Sequence, residues 1–158
     1  MIPDLDLSIE RVIRAPRKDV WAAWTDPASL AQWWIPAPTR CRVERLEVRP
    51  GGAFVTQMSD DGAAFVPHLD ACFLVVEEFE RIVFTNAIDS AWRPTSPAPV
   101  PMTAEVVLQD CADGTDYRIT VRHGDPADCA RHAELGFADG WGTVIGQLAG
   151  FVEAGATR

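Results

Sequence analysis

No uninterrupted apolar run in the sequence approaches the roughly 20 residues that a membrane helix requires. The opening stretch from Met1 to Asp6 also lacks the basic start and apolar core of a secretory signal. No membrane partner and no export are therefore expected, and the cytoplasm is the expected compartment. Basic residues are in deficit, with 14 Lys and Arg against 23 Asp and Glu and a formal net charge of -9. Such a surface repels phosphate backbones, so no nucleic acid partner is expected. The acidity serves solubility and leaves open a basic protein partner or a homodimer. Cys41, Cys72, Cys111 and Cys129 are widely spread, with no C-x-x-C pair and no histidine at ligand spacing. No metal site is indicated, and the cysteines are expected as free thiols of a reducing compartment. P-loop, G-x-S-x-G, H-E-x-x-H and dinucleotide fingerprints are missing too, so no cofactor is implied.

What remains is an ordinary globular composition, 47% hydrophobic and 23% charged over 158 residues. That length suits one domain, expected over residues 1–158, and a chain of this size buries roughly 68–70% of its unfolded surface. Leu5, Leu7 and Ile9 alternate with Asp6, Ser8 and Glu10, which predicts a first strand running on through Val12 and Ile13. After Ala15-Pro16, the helical spacing of Val20, Trp21 and Trp24 predicts a short helix ending near Thr25-Asp26-Pro27. A second short helix carries Leu30, Trp33 and Trp34, and Pro36 and Pro38 end it. Strand patterns then follow near 41–48, 53–58, 70–77, 80–88, 102–110 and 116–123. Gly51-Gly52, Asp61-Gly62 and Asp113-Gly114 supply residues that tolerate positive φ, so the strands they join should be antiparallel neighbours. Pro94, Pro97, Pro99 and Pro101 forbid ladder pairing between Trp92 and Pro101, which reads as an internal lip.

The last predicted element is a single helix from Asp125-Pro126 to about Glu153. Phe137, Trp141, Val144, Ile145, Leu148, Phe151 and Val152 define one apolar stripe. Continued backward at roughly 100° per residue, the stripe meets only Ala127, Ala130, Ala133 and Glu134. Bulky side chains at one end and alanines at the other do not fill a uniform gap at interior density, which predicts a cavity near the alanines. Close backbone packing, which Gly136 and Gly140 would permit, is the alternative, at a cost of ~1 kcal/mol per helical glycine relative to Ala.

The element order is that of an α+β helix-grip fold: a curved antiparallel sheet of about seven strands, two short helices and one long C-terminal helix. Several motifs strengthen it. Ala15-Pro16-x-x-x-Val20-Trp21-x-x-Trp24-Thr25-Asp26-Pro27, Trp33-Trp34, Arg49-Pro50-Gly51-Gly52, Arg81-Ile82-Val83-Phe84-Thr85 and Gly136-Phe137-x-x-Gly140-Trp141 span nearly the whole chain. Together they resemble the activator of heat-shock ATPase homologue family of the START-like SRPBCC superfamily. The resemblance implies an internal cavity for apolar small molecules, although one fold hosts many functions and the site is argued separately. Relatives with this closing motif often place an acidic residue directly after the histidine. Here His132 is followed by Ala133, and Glu134 comes one position later.

Two side chains stand out as carriers of chemistry. His123 shares a strand face with Tyr117, Ile119 and Val121, so it should point inward as a ligand contact or proton shuttle, or else bond locally at the strand's end. Glu134 would be a general acid or base if it faced an apolar space, and otherwise a solvated helix edge. His132 projects away from the stripe unless the glycines distort the helix. Phe54, Met58, Phe73, Phe84, Trp92 and Met102 complete the expected lining, with Ala130, Ala133, Phe137 and Trp141 on the helix side. Arg11, in register with Leu7, Ile9 and Ile13, should either snorkel to a rim or meet an acidic partner. Binding of a small apolar or aromatic molecule is the leading expectation. A cyclase or hydrolase using His123 and Glu134, and a protein-binding module like the co-chaperone that names the family, are the alternatives.

Overall fold

In a computed structural model, which describes residues 1–156, the N-terminal alternation becomes β1 (Asp6–Ile13). Pro16 opens α1 (Arg17–Thr25), and Asp26 caps α2 (Pro27–Leu30) by accepting from the Ser29 amide at 2.9 Å. The strands follow as β2 (Arg40–Leu46), β3 (Ala53–Ser59), β4 (Val66–Glu77), β5 (Arg81–Thr85), β6 (Thr103–Cys111) and β7 (Gly114–Arg122). All seven form one antiparallel sheet in the order β1-β7-β6-β5-β4-β3-β2. Each glycine turn named above does join neighbouring strands. At Gly52 a Cβ would lie 1.9 Å from the Glu47 carbonyl oxygen, so this turn admits no side chain. β5 stops three residues earlier than its hydrophobic pattern because Asn86 leaves the ladder to hold the lip.

Three register shifts curve the sheet. They leave Glu44, His68 and Leu74 as extra residues opposite single partners, and such bulges bend a strand and raise its twist. Into the concave face pack Trp24, Trp33, Tyr117, Phe54, Phe73 and Phe84, all with under 2% of their surface exposed. Phe54 and Phe73 stack at 5.3 Å, and Phe84 meets Phe54 edge-on at 5.1 Å. The polar tips are matched where the packing is densest. Trp24 Nε1 donates to the Tyr117 hydroxyl at 3.2 Å and Trp33 Nε1 to the Ala23 carbonyl at 3.1 Å. Desolvation in this core pushes the Tyr117 pKa up.

The C-terminal segment departs from expectation. It forms two helices, α3 (Pro126–Glu134) and α4 (Phe137–Ala156), where the sequence pattern predicts one. Along α4, Val144, Ile145, Leu148, Ala149 and Val152 are buried against the sheet and α1, whereas Phe151 is exposed at the stripe's edge. Gln147 ties α4 to the loop after α2: its Nε2 donates to the Trp33 and Ile35 carbonyls and its Oε1 accepts from the Ala37 amide. Arg11 lies with its guanidinium over Gly146. Among the described residues no helix is long and apolar enough to cross a membrane.

Candidate functional site

The break between the last two helices builds the site. Asp125 caps α3 by accepting from the Ala127 amide at 2.7 Å, and Pro126 sets the first helical φ. At the other end the Leu135 amide still bonds the Arg131 carbonyl, but the Gly136 amide reaches Ala133 at a φ of +94°. This left-handed position after a helix is where glycine is favoured, because it has no Cβ to clash. The turn rotates α3 out of phase with α4. Ala127, Ala130, Ala133 and Glu134, projected inward on a continuous helix, are exposed, while Cys129 is buried and His132 half-buried.

Beside the break lies a partly open cavity of about 290 Å³. Trp34 and Leu69 form its inner wall, and Val100 and Met102 contribute the lip. Phe137, Trp141 and Val144 of α4 close it, with Leu135 at the mouth. Trp34 and Trp141 meet edge-on at 5.7 Å. The lip is held by Asn86, whose Oδ1 accepts from the Met102 amide at 2.8 Å and whose Nδ2 donates to the Val100 carbonyl at 3.2 Å. Asn86 also lines the cavity, with both ends of its amide already used.

The polar ends of the cavity are histidines. The chain has three, and the fold gathers all of them here: His68 and His132 line the cavity, and His123 touches His132 from behind. His123 follows β7, buried, with Nδ1 2.8 Å from the Leu5 carbonyl oxygen and Nε2 2.8 Å from His132 Nδ1. A carbonyl only accepts, so His123 carries its proton on Nδ1. In the neutral pair His123 Nε2 is then the acceptor and His132 Nδ1 the donor, which leaves His132 Nε2 with a bare lone pair. Burial, and next the charge of His123, hold the His132 pKa below its ordinary value.

His68 owes its place to the β4 bulge. Strict alternation with Leu69 would turn it to the other face, but the extra residue re-aims it into the cavity mouth, where it remains exposed. Its Nδ1 lies 2.9 Å from the hydroxyl of fully buried Thr56, and its ring meets Trp34 edge-on at 6.4 Å. Partial desolvation of the ring lowers its pKa. Trp34 itself is 5% exposed, and its indole N–H has no hydrogen-bond partner among the described residues. An unpaired buried donor costs about 1–3 kcal/mol. Among the described residues no group of three or more His, Cys, Asp or Glu side chains is placed to hold a metal ion.

A family model described as Activator of Hsp90 ATPase homolog 1-like protein matches residues 14–153. The chain belongs to that family. Its fold agrees closely with the crystal structure of a Nitrosomonas europaea protein, 35% identical over 100% of both chains, with a TM-score of 0.87. An Arthrobacter aurescens protein solved by NMR is 24% identical, covers 96% of this chain and 88% of its own, and has a TM-score of 0.82. The AHSA1-like protein from Aeromonas hydrophila is 23% identical over 98% of this chain and 96% of its own, with a TM-score of 0.70. No curated protein matches the chain. The helix-grip architecture expected from the motifs is thus the fold of this family member.

Apart from His123, the predicted site residues separate into three groups. Met102, Phe137 and Trp141 line the cavity. Phe54, Phe73 and Phe84 are solid core behind Trp34, and Met58 is partly buried beyond the cavity lining. Trp92, Ala130, Ala133 and Glu134 are exposed outside it. Trp92 sits with its ring on Gly51, where a Cβ would meet it at 3.0 Å, because the Asp89 turn holds the start of the lip away from the mouth. His123 is both inward and backbone-bonded, and it reaches the cavity only through His132. The expected pairing of His123 with Glu134 in one cavity is overturned by the helix break. His68 and Asn86 were invisible to strand and helix periodicity, and Trp34, read as part of the second short helix, gave no sign that it lines the cavity. Only the extra residue that His68 inserts in β4 marks it, and a bulge leaves no pattern in a single sequence.

Proposed function

We propose that this family member binds a small, mainly apolar molecule of one or two aromatic rings in the cavity between α4, the lip and the inner wall at Trp34. The observation that carries the reading is the combination of a partly open, mostly apolar cavity of about 290 Å³ with two histidines exposed to it. Ligand sites are concave, mostly apolar and fitted with a few placed polar groups, and this volume falls at their small end. Rigid aromatic walls at Trp34, Phe137 and Trp141 favour flat rings over flexible chains.

Gly140 offers a clean test. It lines the cavity in α4, and a Cβ there would meet no atom within 4 Å. Gly140→Leu therefore projects into open space while improving helix propensity by about 1 kcal/mol. A two-ring aromatic that binds only the folded protein raises its melting temperature by mass action. Naphthalene derivatives should shift the wild-type transition, and Gly140→Leu should lose that shift with no loss of intrinsic stability. Equal shifts in both proteins would place the ligand elsewhere; no shift in the wild type would refute the reading.

A further inference from the structure

We infer that the cavity selects an aromatic ligand bearing a hydroxyl hydrogen-bond donor, a phenol or enol, and that His132 Nε2 is the acceptor that selects it. This deepens the ligand-binding reading and depends on it. The Leu5 carbonyl oxygen accepts from both the backbone amide of His123, at 2.9 Å, and its Nδ1, at 2.8 Å. These two hydrogen bonds to one acceptor fix the ring and its tautomer. His123 Nε2 then requires a donor, and His132 Nδ1 at 2.8 Å is the group placed to supply it. The proton on His132 is drawn to Nδ1, and Nε2 is left bare.

His132 thus differs from a free histidine, which presents either tautomer. Its ring is also held from the other side, edge-on to Phe137 at 5.2 Å. The result is one fixed acceptor in a wall of Trp34, Trp141, Val144 and the lip, with His68 at the mouth and the Asn86 amide already bonded. A hydroxyl hydrogen satisfies it. A methyl ether brings only acceptor atoms to it, and a carboxylate brings a negative charge to the same lone pair. His123, which does not line the cavity, acts as a positioning residue.

The experiment compares naphthol, its methyl ether and naphthoate by titration of the intrinsic tryptophan fluorescence at about pH 8, where His132, its pKa held below the ordinary value, is neutral. Wild-type protein should bind naphthol at least about 10-fold more tightly than the ether, a difference of about 1.4 kcal/mol, with naphthoate weakest. His132→Phe, which keeps an aromatic ring against Phe137, should bring naphthol and ether within about two-fold of each other. His123→Leu frees the tautomer of His132 and should give an intermediate ratio. Nitrogen-detected NMR of the wild-type rings supplies a readout independent of any variant's folding: His132 should be protonated on Nδ1 and bare on Nε2. Equal binding of naphthol and ether by the wild type, or a proton on His132 Nε2, overturns this inference and leaves the cavity reading standing. Failure of all three probes to bind removes both.

Discussion

Trp24 and Trp34 lie ten residues apart, touch at 5.3 Å, and sit in differently built regions. Trp24 is surrounded on every side. Trp33, Trp34, Phe54 and Phe84 all approach it within 6.3 Å, and its N–H is taken by Tyr117. Trp34 faces that same cluster with one side and the cavity with the other, and its N–H is unpaired. The first region follows the rule for interiors, dense packing with every polar tip satisfied. The second departs from it in volume and in hydrogen bonding at one place. Local departures from an otherwise consistent fold are where function is sought.

Removing each indole N–H should expose the contrast most strongly. Trp24→Phe leaves a gap in close packing and strands the buried Tyr117 hydroxyl, so a loss of about 3 kcal/mol is expected. Trp34→Phe removes a donor that has no partner and trims a wall that already borders open space, so its loss should stay below about 1.5 kcal/mol. Denaturant unfolding of both variants measures the difference. Equal losses would mean that the two regions are packed alike and that the cavity has no energetic reality.

A pair of glycines sharpens the comparison at the next level down. Gly136→Ala forces a side chain into a φ of +94°, which should destabilise by about 1–2 kcal/mol and disturb the turn that presents His132. Gly140→Ala, four residues on in an ordinary helical turn with free space around it, should stabilise by up to about 1 kcal/mol. Opposite signs in melting temperature are expected. If both stabilise, the break is not needed and the single helix expected from the apolar stripe would be recovered.

That stripe shows what a sequence can and cannot disclose. The apolar residues from Phe137 to Val152 follow one helical face, and their burial was legible apart from partly buried Trp141 and exposed Phe151. The strands were legible because one face is buried and one is wet, so burial writes period two into them. The same reasoning failed at Ala130, Ala133 and Glu134 because phase is carried only as far as the backbone is regular, and one left-handed glycine resets it. The expected mismatch of bulk rests on alanines facing the sheet, and Ala127, Ala130 and Ala133 are exposed instead. The space arises from the break, not from alanines facing the sheet. The site's polar groups depend on two such irregularities, the turn at Gly136 for His132 and the bulge at His68, and neither has a periodicity to read.

The smallest expected effect is electrostatic, and it too separates the two regions. His68 and His132 have pKa values held below the ordinary 6.5, by partial desolvation and, for His132, also by the neighbouring His123. In the unfolded chain both titrate near about 6.5. As the pH falls through that value the unfolded state takes up protons at these positions before the folded state does. The unfolded state therefore gains free energy of protonation first, and stability declines. Their full contribution is present above about pH 6.5 and is lost progressively as the pH drops toward the lower folded values. Melting temperature should accordingly fall between about pH 7.5 and 5.5, and His68→Asn combined with His132→Asn should flatten that slope. Around Trp24 the titratable side chain is Tyr117, whose pKa is raised away from this window, so Trp24→Phe should lower the melting curve while keeping the wild-type slope. A wild-type melting temperature that rises on acidification over this range would contradict the lowered pKa values of the two cavity histidines.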